Sequence, residues 1–177
     1  MKIFEVTEYK EFFLDALNRL LPQLSSSAEP LTKTDLMEII KSRSTKLLFA
    51  EDNSQISGIL TLVFFKIPTG TRAWIEDVIV DSETRSKGVG NLLVQHAIKL
   101  AKEMGAETID LTSHPLREPA NRLYQKLDFE IRKTNVYRYT IYSRNFQTRL
   151  KTKNEEIKIL TQRARHWVKP KGHGLLN

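Results

Sequence analysis

The stretch VIVDSETRSKGVG, Val78 to Gly90, passes from three β-branched residues through a polar loop to a Gly-x-Gly at the head of a helical pattern. Glycines let a backbone approach a ligand closely, and the unpaired N–H groups in the first turn of a helix point outward with partial positive charge. Arg85 and Lys87 add cations beside them, so the segment reads as an anion site suited to a pyrophosphate. Two better-known phosphate motifs do not fit. For a dinucleotide fingerprint Leu93 stands where the third glycine belongs, and Asp110 is flanked on both sides by strand residues. For a P-loop no Gly-Lys-Ser/Thr follows. The bland alternative is that Gly88 and Gly90 only shape a tight entry into the helix.

Outward from this loop the period of the hydrophobic pattern changes. Val89, Leu92, Leu93, Ala97, Leu100, Ala101 and Met104 recur at three and four, which predicts an amphipathic helix stopped by Gly105. Upstream, Ala73 to Val80 reads as a strand, and Lys46 to Ala50 with Ile56 to Phe65 as a hairpin around EDNSQ. Lys2 to Val6 predicts a first strand. Phe12 to Leu21 predicts a helix ended by Pro22, and Thr32 with Asp35 caps a second helix over Leu36 to Ile40. Downstream, Thr108 to Thr112 is a strand and Ala120 to Leu127 a helix, with two closing strands at Phe129 to Arg132 and Val136 to Tyr142. The order βααβββαβαββ implies a mixed α/β domain: a mostly antiparallel sheet of six to seven strands, with one parallel pair made by a right-handed crossover.

A chain of 177 residues is long enough for one domain that buries roughly two thirds of its unfolded surface. Its longest uncharged apolar stretch, Ile56 to Phe65, is half a bilayer span, and acids and lysines interrupt the first residues, so no membrane segment and a cytoplasmic location are expected. The absence of cysteine excludes disulfides, thiolate metal sites and a cysteinyl acyl intermediate. No histidine spacing suggests a metal or a catalytic triad, so no metal is assigned. The net charge of +7 lies entirely in residues 143–177, where nine Lys or Arg face only Glu155 and Glu156. The expected division is therefore a formally neutral catalytic domain, 1–142, and a basic extension, 143–177.

Arg85-Ser86-Lys87-Gly88-Val89-Gly90 after a strand resembles the signature of the GNAT-type N-acetyltransferases, Arg/Gln-x-x-Gly-x-Gly/Ala. A second motif of that family, Tyr-x-x-x-Gly-Phe at a helix end, is matched by Tyr124 to Phe129 except that Asp128 replaces glycine. Aspartate accepts the left-handed cap at a modest stability cost. The likeness extends over residues 2 to 142 in element order, and nothing comparable covers the tail. It implies the acyl-CoA N-acyltransferase fold and acetyl-CoA as co-substrate. The pyrophosphate would sit on Arg85, Ser86, Lys87, Gly88, Val89 and Gly90, and the pantetheine arm along Val78, Ile79 and Val80. Asn121 or the weaker candidate Arg117 would reach the cofactor, whereas Arg122 reads as a solvated helix residue.

Direct acetyl transfer to an amine needs a base for the ammonium, whose pKa is about 10, and an acid for a thiolate whose pKa is about 8.5. Glu76 is the first candidate base; simple alternation puts it on the face of Trp74 and Val78, with Asp77 on the other. A backbone N–H near Val78 would stabilise the thioester oxygen, as the resemblance suggests. Tyr124 stands at the family's general acid. The ordinary readings are a solvated strand acid for Glu76 and a core tyrosine for Tyr124.

Thr152 with Glu155, then Ile157, Leu160, Ala164 and Trp167, predict a helix in the basic extension. It could dock on the domain, pair with a second subunit, or offer a cationic face to nucleic acid or acidic protein. Two functional classes follow. The first is an N-acetyltransferase acting on a small or peptide amine. The second is a non-catalytic acyl-CoA-binding or nucleic-acid-associated module.

Overall fold

A computed structural model describes residues 1–141. In chain order they form β1 (Lys2–Glu5), α1 (Glu11–Leu24), α2 (Lys33–Lys41), β2 (Thr45–Asp52), β3 (Gln55–Ile67), β4 (Gly70–Val80), a 3-10 turn (Ser82–Thr84), α3 (Val89–Glu103), β5 (Thr108–Leu111) and α4 (Glu118–Lys126). All of these lie in one compact unit, Met1–Ile131. The expected helix of the basic extension lies outside the described residues.

The sheet has the order β1-β2-β3-β4-β5, antiparallel throughout except for the parallel pair β4 and β5, which α3 connects. Asn53 and Ser54 both take positive φ and turn β2 into β3. Alternation along the strands splits the apolar residues between two faces. Leu47, Phe49, Ile56, Ile59 and Ile79 pack with α1 and α2 around Phe13, Leu17, Leu20 and Leu36. Leu48, Leu60, Leu62, Ala73 and Ile75 pack with α3 through Val89, Leu93, Val94, Ala97 and Ala101. Each fully buried leucine or isoleucine stabilises the fold by about 1.5–3 kcal/mol. Among the described residues no helix is long and apolar enough to cross a membrane.

Several local expectations hold. Thr32 and Asp35 form a reciprocal capping box at the head of α2. Asp128 takes φ 64°, with Phe129 N–H donating to the Tyr124 carbonyl and Asp128 N–H to that of Gln125, the pattern of a Schellman cap. Gly105 ends α3 with the same pair of bonds.

Two expectations are corrected. Pro22 does not end α1, which continues to Leu24. A proline in the last turn forfeits only its own N–H bond, and Ser25 N–H still reaches the Leu21 carbonyl at 3.2 Å. The sheet of the described residues has five strands rather than six to seven, because neither Phe129–Arg132 nor 136–141 is a strand. Phe129 is taken by the cap of α4 and by an edge contact with the Tyr124 ring. The alternation after it expresses only a local preference, which makes a strand when a partner edge accepts its hydrogen bonds.

Candidate active site

The parallel ladder ends early. Its last pair is Ile75 with Leu111, where β5 stops, yet β4 runs on to Val80. Glu76 to Val80 therefore have β3 on one side and, among the described residues, no strand on the other, so the backbone groups along that edge are open to a ligand. A bulge marks the parting. Thr61 pairs with Glu76 and Ile59 with Ile79, so Asp77 and Val78 together face the single Leu60, and Asp77 takes φ 49°.

The bulge reverses the alternation beyond it. Ala73 and Ile75 lie on the α3 side; past the bulge it is Val78 and Val80 that pack there, while Ile79 joins the α1–α2 side. Glu76 thus shares a face with Trp74 and Ile79, and Val78 lies on the other. This corrects the expectation that Glu76 and Val78 share a face. Asp77 shares with Val78 one place in the alternation.

Downstream of β4 the loop is held from several directions. Asp81 is buried, caps the 3-10 turn by accepting from Glu83 N–H at 3.2 Å, and pairs with the Arg19 guanidinium from α1. Burial pushes its carboxyl up, but Arg19 and the Glu83 N–H outweigh that and hold it below its ordinary value. Thr84 Oγ1 donates to the Ser57 carbonyl at 3.2 Å. Ser86 and Gly88 then take positive φ, 65° and 81°. A Cβ on Gly88 would meet nothing within 4 Å, so glycine serves there for conformation rather than for space. The first α3 bond is donated by Leu92 N–H to the Gly88 carbonyl, which leaves the N–H groups of Val89, Gly90 and Asn91 without a helical acceptor. Arg85, Ser86, Lys87 and Gly88 are exposed beside them, whereas the Val89 and Ile79 side chains are buried and can offer a ligand only their backbone.

Gly90 is the point of convergence. A Cβ there would lie 3.2 Å from Leu123 Cδ2 and 3.5 Å from Val80 Cγ2, so the end of β4, the first turn of α3 and the helix of Tyr124 meet around it. Tyr124 is half-buried on the α3 side, and desolvation raises its phenol pKa against a smaller opposing pull from Arg117. It stays protonated at neutral pH. Desolvation also raises the Asp77 carboxyl, although that side chain keeps an exposed surface.

Other expected residues have partners of their own within the chain. Asn121 Nδ2 donates to the His114 and Pro115 carbonyls at 3.1 and 3.2 Å, which ties down the loop between β5 and α4. Arg117 donates to the Leu24 carbonyl at 3.3 Å, and Arg122 pairs with Glu118 one turn away on α4. Sequence reasoning missed Gly58, whose Cβ would come within 2.9 Å of both the Ile79 carbonyl oxygen and Val89 Cγ1. A glycine inside a strand pattern is the only sign it leaves.

The model of the acetyltransferase (GNAT) family matches residues 10–129, two thirds of the chain. The chain belongs to the GNAT acetyltransferase family. It is an N-acetyltransferase, and enzymes of this family generally take their acetyl group from acetyl-CoA. One relative, the Bacillus subtilis (strain 168) protein named "Uncharacterized N-acetyltransferase YhdJ", is 28% identical over 115 residues, 63% of this acetyltransferase and 81% of that protein. The aminoglycoside acetyltransferase meta-AAC0020 from an uncultured soil metagenomic sample has the same fold, with TM-score 0.72 and 18% identity over 80% of this chain and 96% of that one. A structure described as a transcriptional regulator from Bacillus halodurans C-125 is 28% identical, with TM-score 0.66, covering 78% of this chain and 99% of that one.

Proposed function

We propose that this acetyltransferase grips acetyl-CoA in the opening between β4 and β5 and passes its acetyl group directly to a primary amine of a small molecule or peptide. The convergence at Gly90 carries the reading. The donor N–H groups of α3, the open edge of β4 and the helix that carries Tyr124 meet around one residue, as a pyrophosphate, a pantetheine arm and a departing sulfur require. In this reading Arg85, Lys87 and the N–H groups from Ser86 to Gly90 hold the pyrophosphate, and the backbone of Val78 to Val80 pairs with the arm. Bound acetyl-CoA supplies a thioester, whose carbonyl a β4 N–H near Val78 polarises. Tyr124, kept neutral by its environment, gives its proton to the leaving sulfur. Of the adjacent acids, Asp77 suits the role of base better than Glu76. It shares the bulge with Val78, which packs on the face of Tyr124, and a carboxyl raised by desolvation binds a proton more readily. Glu76 on the other face is the alternative acceptor. Asn121 serves by holding the loop ahead of α4. The catalytic domain is residues 1–142, with 143–177 as a basic extension.

Calorimetric titration with acetyl-CoA tests this, wild type beside a variant with Gly88→Val and Gly90→Leu together. Micromolar binding that the variant loses is the expected result. A folded wild type that binds nothing would sink the cofactor site. Turnover of an amine panel by Asp77→Asn and Glu76→Gln then decides between the two acids.

A second reading, a nucleic-acid-associated module, draws on the basic extension and on the likeness to a protein described as a transcriptional regulator. It requires salt-sensitive DNA or RNA binding that disappears when residues 148–177 are removed, without acetyl-CoA turnover.

A further inference from the structure

The entrance to the phosphate loop is held by a residue outside both sequence motifs. Because α1 continues past Pro22, Gln23 falls in its last turn, at the point where β4 gives way to the 3-10 turn. Gln23 Oε1 accepts from Ser82 N–H at 2.9 Å, and Gln23 Nε2 donates to Asp81 Oδ1 at 3.5 Å. The side chain is otherwise exposed, so these bonds rather than core packing account for its placement. Its neighbour on α1, Arg19, occupies the other Asp81 oxygen and also donates to the Ile56 carbonyl at 2.6 Å.

Asp81 poses an electrostatic problem at this place, since it is a buried carboxylate at the threshold of a loop suited to anions. Arg19 neutralises it, and Gln23 completes its shell with an amide that adds no charge. The same amide satisfies Ser82 N–H, which begins the turn delivering Arg85 to Gly90. On the far side of this turn of α1, the Leu24 carbonyl accepts from Arg117 at the head of α4.

We propose that Gln23 is a positioning residue for the pyrophosphate of the acyl donor, fixing the entrance of the Arg85–Gly90 loop through Ser82 and Asp81. The proposal rests on the reading of that loop as the cofactor grip. It predicts an effect confined to donors that carry the pyrophosphate, because Gln23 touches neither the open edge of β4 nor Tyr124.

The test compares acetyl-CoA with S-acetylpantetheine, which has the same thioester and arm but no pyrophosphate, by calorimetry on the full chain. Gln23→Ala should weaken acetyl-CoA about three- to tenfold, the range for one lost hydrogen bond, and leave S-acetylpantetheine within about twofold of wild type. Gln23→Glu keeps the acceptor for Ser82 N–H but sets a second anion beside Asp81, and it should weaken acetyl-CoA further than the alanine does. Unchanged acetyl-CoA affinity in folded Gln23→Ala, or equal weakening of both donors, would overturn the positioning role. A wild type that binds neither donor would remove the cofactor reading on which it stands.

Discussion

Over Arg72–Ile75, β4 has neighbours on both sides, antiparallel β3 and parallel β5; over Glu76–Val80 it keeps, among the described residues, β3 alone. The first half buries Ala73 and Ile75 against α3 and carries no polar chemistry on that face. The second half begins with two acids, contains a left-handed residue, and leads into a loop of unpaired donors. One strand thus divides into a part that stabilises the sheet and a part that leaves hydrogen-bonding capacity unused. Pairing on both sides holds the first half, and where it stops the second half has the backbone donors and acceptors that the proposed cofactor arm needs.

Substitutions should separate the two halves. The largest expected effect is on chemistry alone. Tyr124→Phe should lower kcat by about 10²–10⁴-fold, some 3–5 kcal/mol of barrier, with acetyl-CoA affinity nearly unchanged. A Tyr124→Phe enzyme with normal kcat would break the comparison by removing the proposed acid from beside the released half. Next comes Ile75→Ala in the paired half, expected to cost about 3 kcal/mol in denaturant unfolding while kcat per folded molecule stays at the wild-type value. The smallest effect comes from the end of the released half. Asp81→Asn should cost about 2 kcal/mol at pH 7, a charged hydrogen bond discounted for the half-exposed Arg19. Because the folded-state pKa of Asp81 is lowered, its contribution is present above the ordinary value of 3.8 and is lost as pH falls through the folded value. Unfolding curves at pH 7 and pH 3 should therefore show the difference between variant and wild type shrinking in acid.

Much of this arrangement was legible in the residues, for identifiable reasons. Glycine at positions needing positive φ, a Thr-x-x-Asp box and an Asp in a left-handed cap are local chemistry, and each is where the sequence put it. The loop and Tyr124 were legible because a period change and a helix end bracket them. What stayed hidden depends on contacts between distant parts of the chain. Nothing in Trp-Ile-Glu-Asp-Val-Ile-Val announces an extra residue, so the faces of Glu76 and Val78 were misjudged. Gln23 beyond Pro22 and Gly58 beneath α3 look like ordinary surface and strand residues until their neighbours are in place. The closing strands were expected from alternation, which carries no information about whether an edge is there to receive them.

The extra residue at Asp77 has one more consequence. Since Asp77 and Val78 share one place opposite Leu60, Asp77 lengthens the strand by a residue without adding a step to the ladder. Deleting that residue would leave Val78 alone opposite Leu60 in a regular ladder, with Val78–Val80 keeping the faces they have. Ile79 would stay beneath α1 and the two valines beside α3. Loss of position 77 should therefore spare the packing of both layers while removing a left-handed residue and its carboxyl from the opening beside β5.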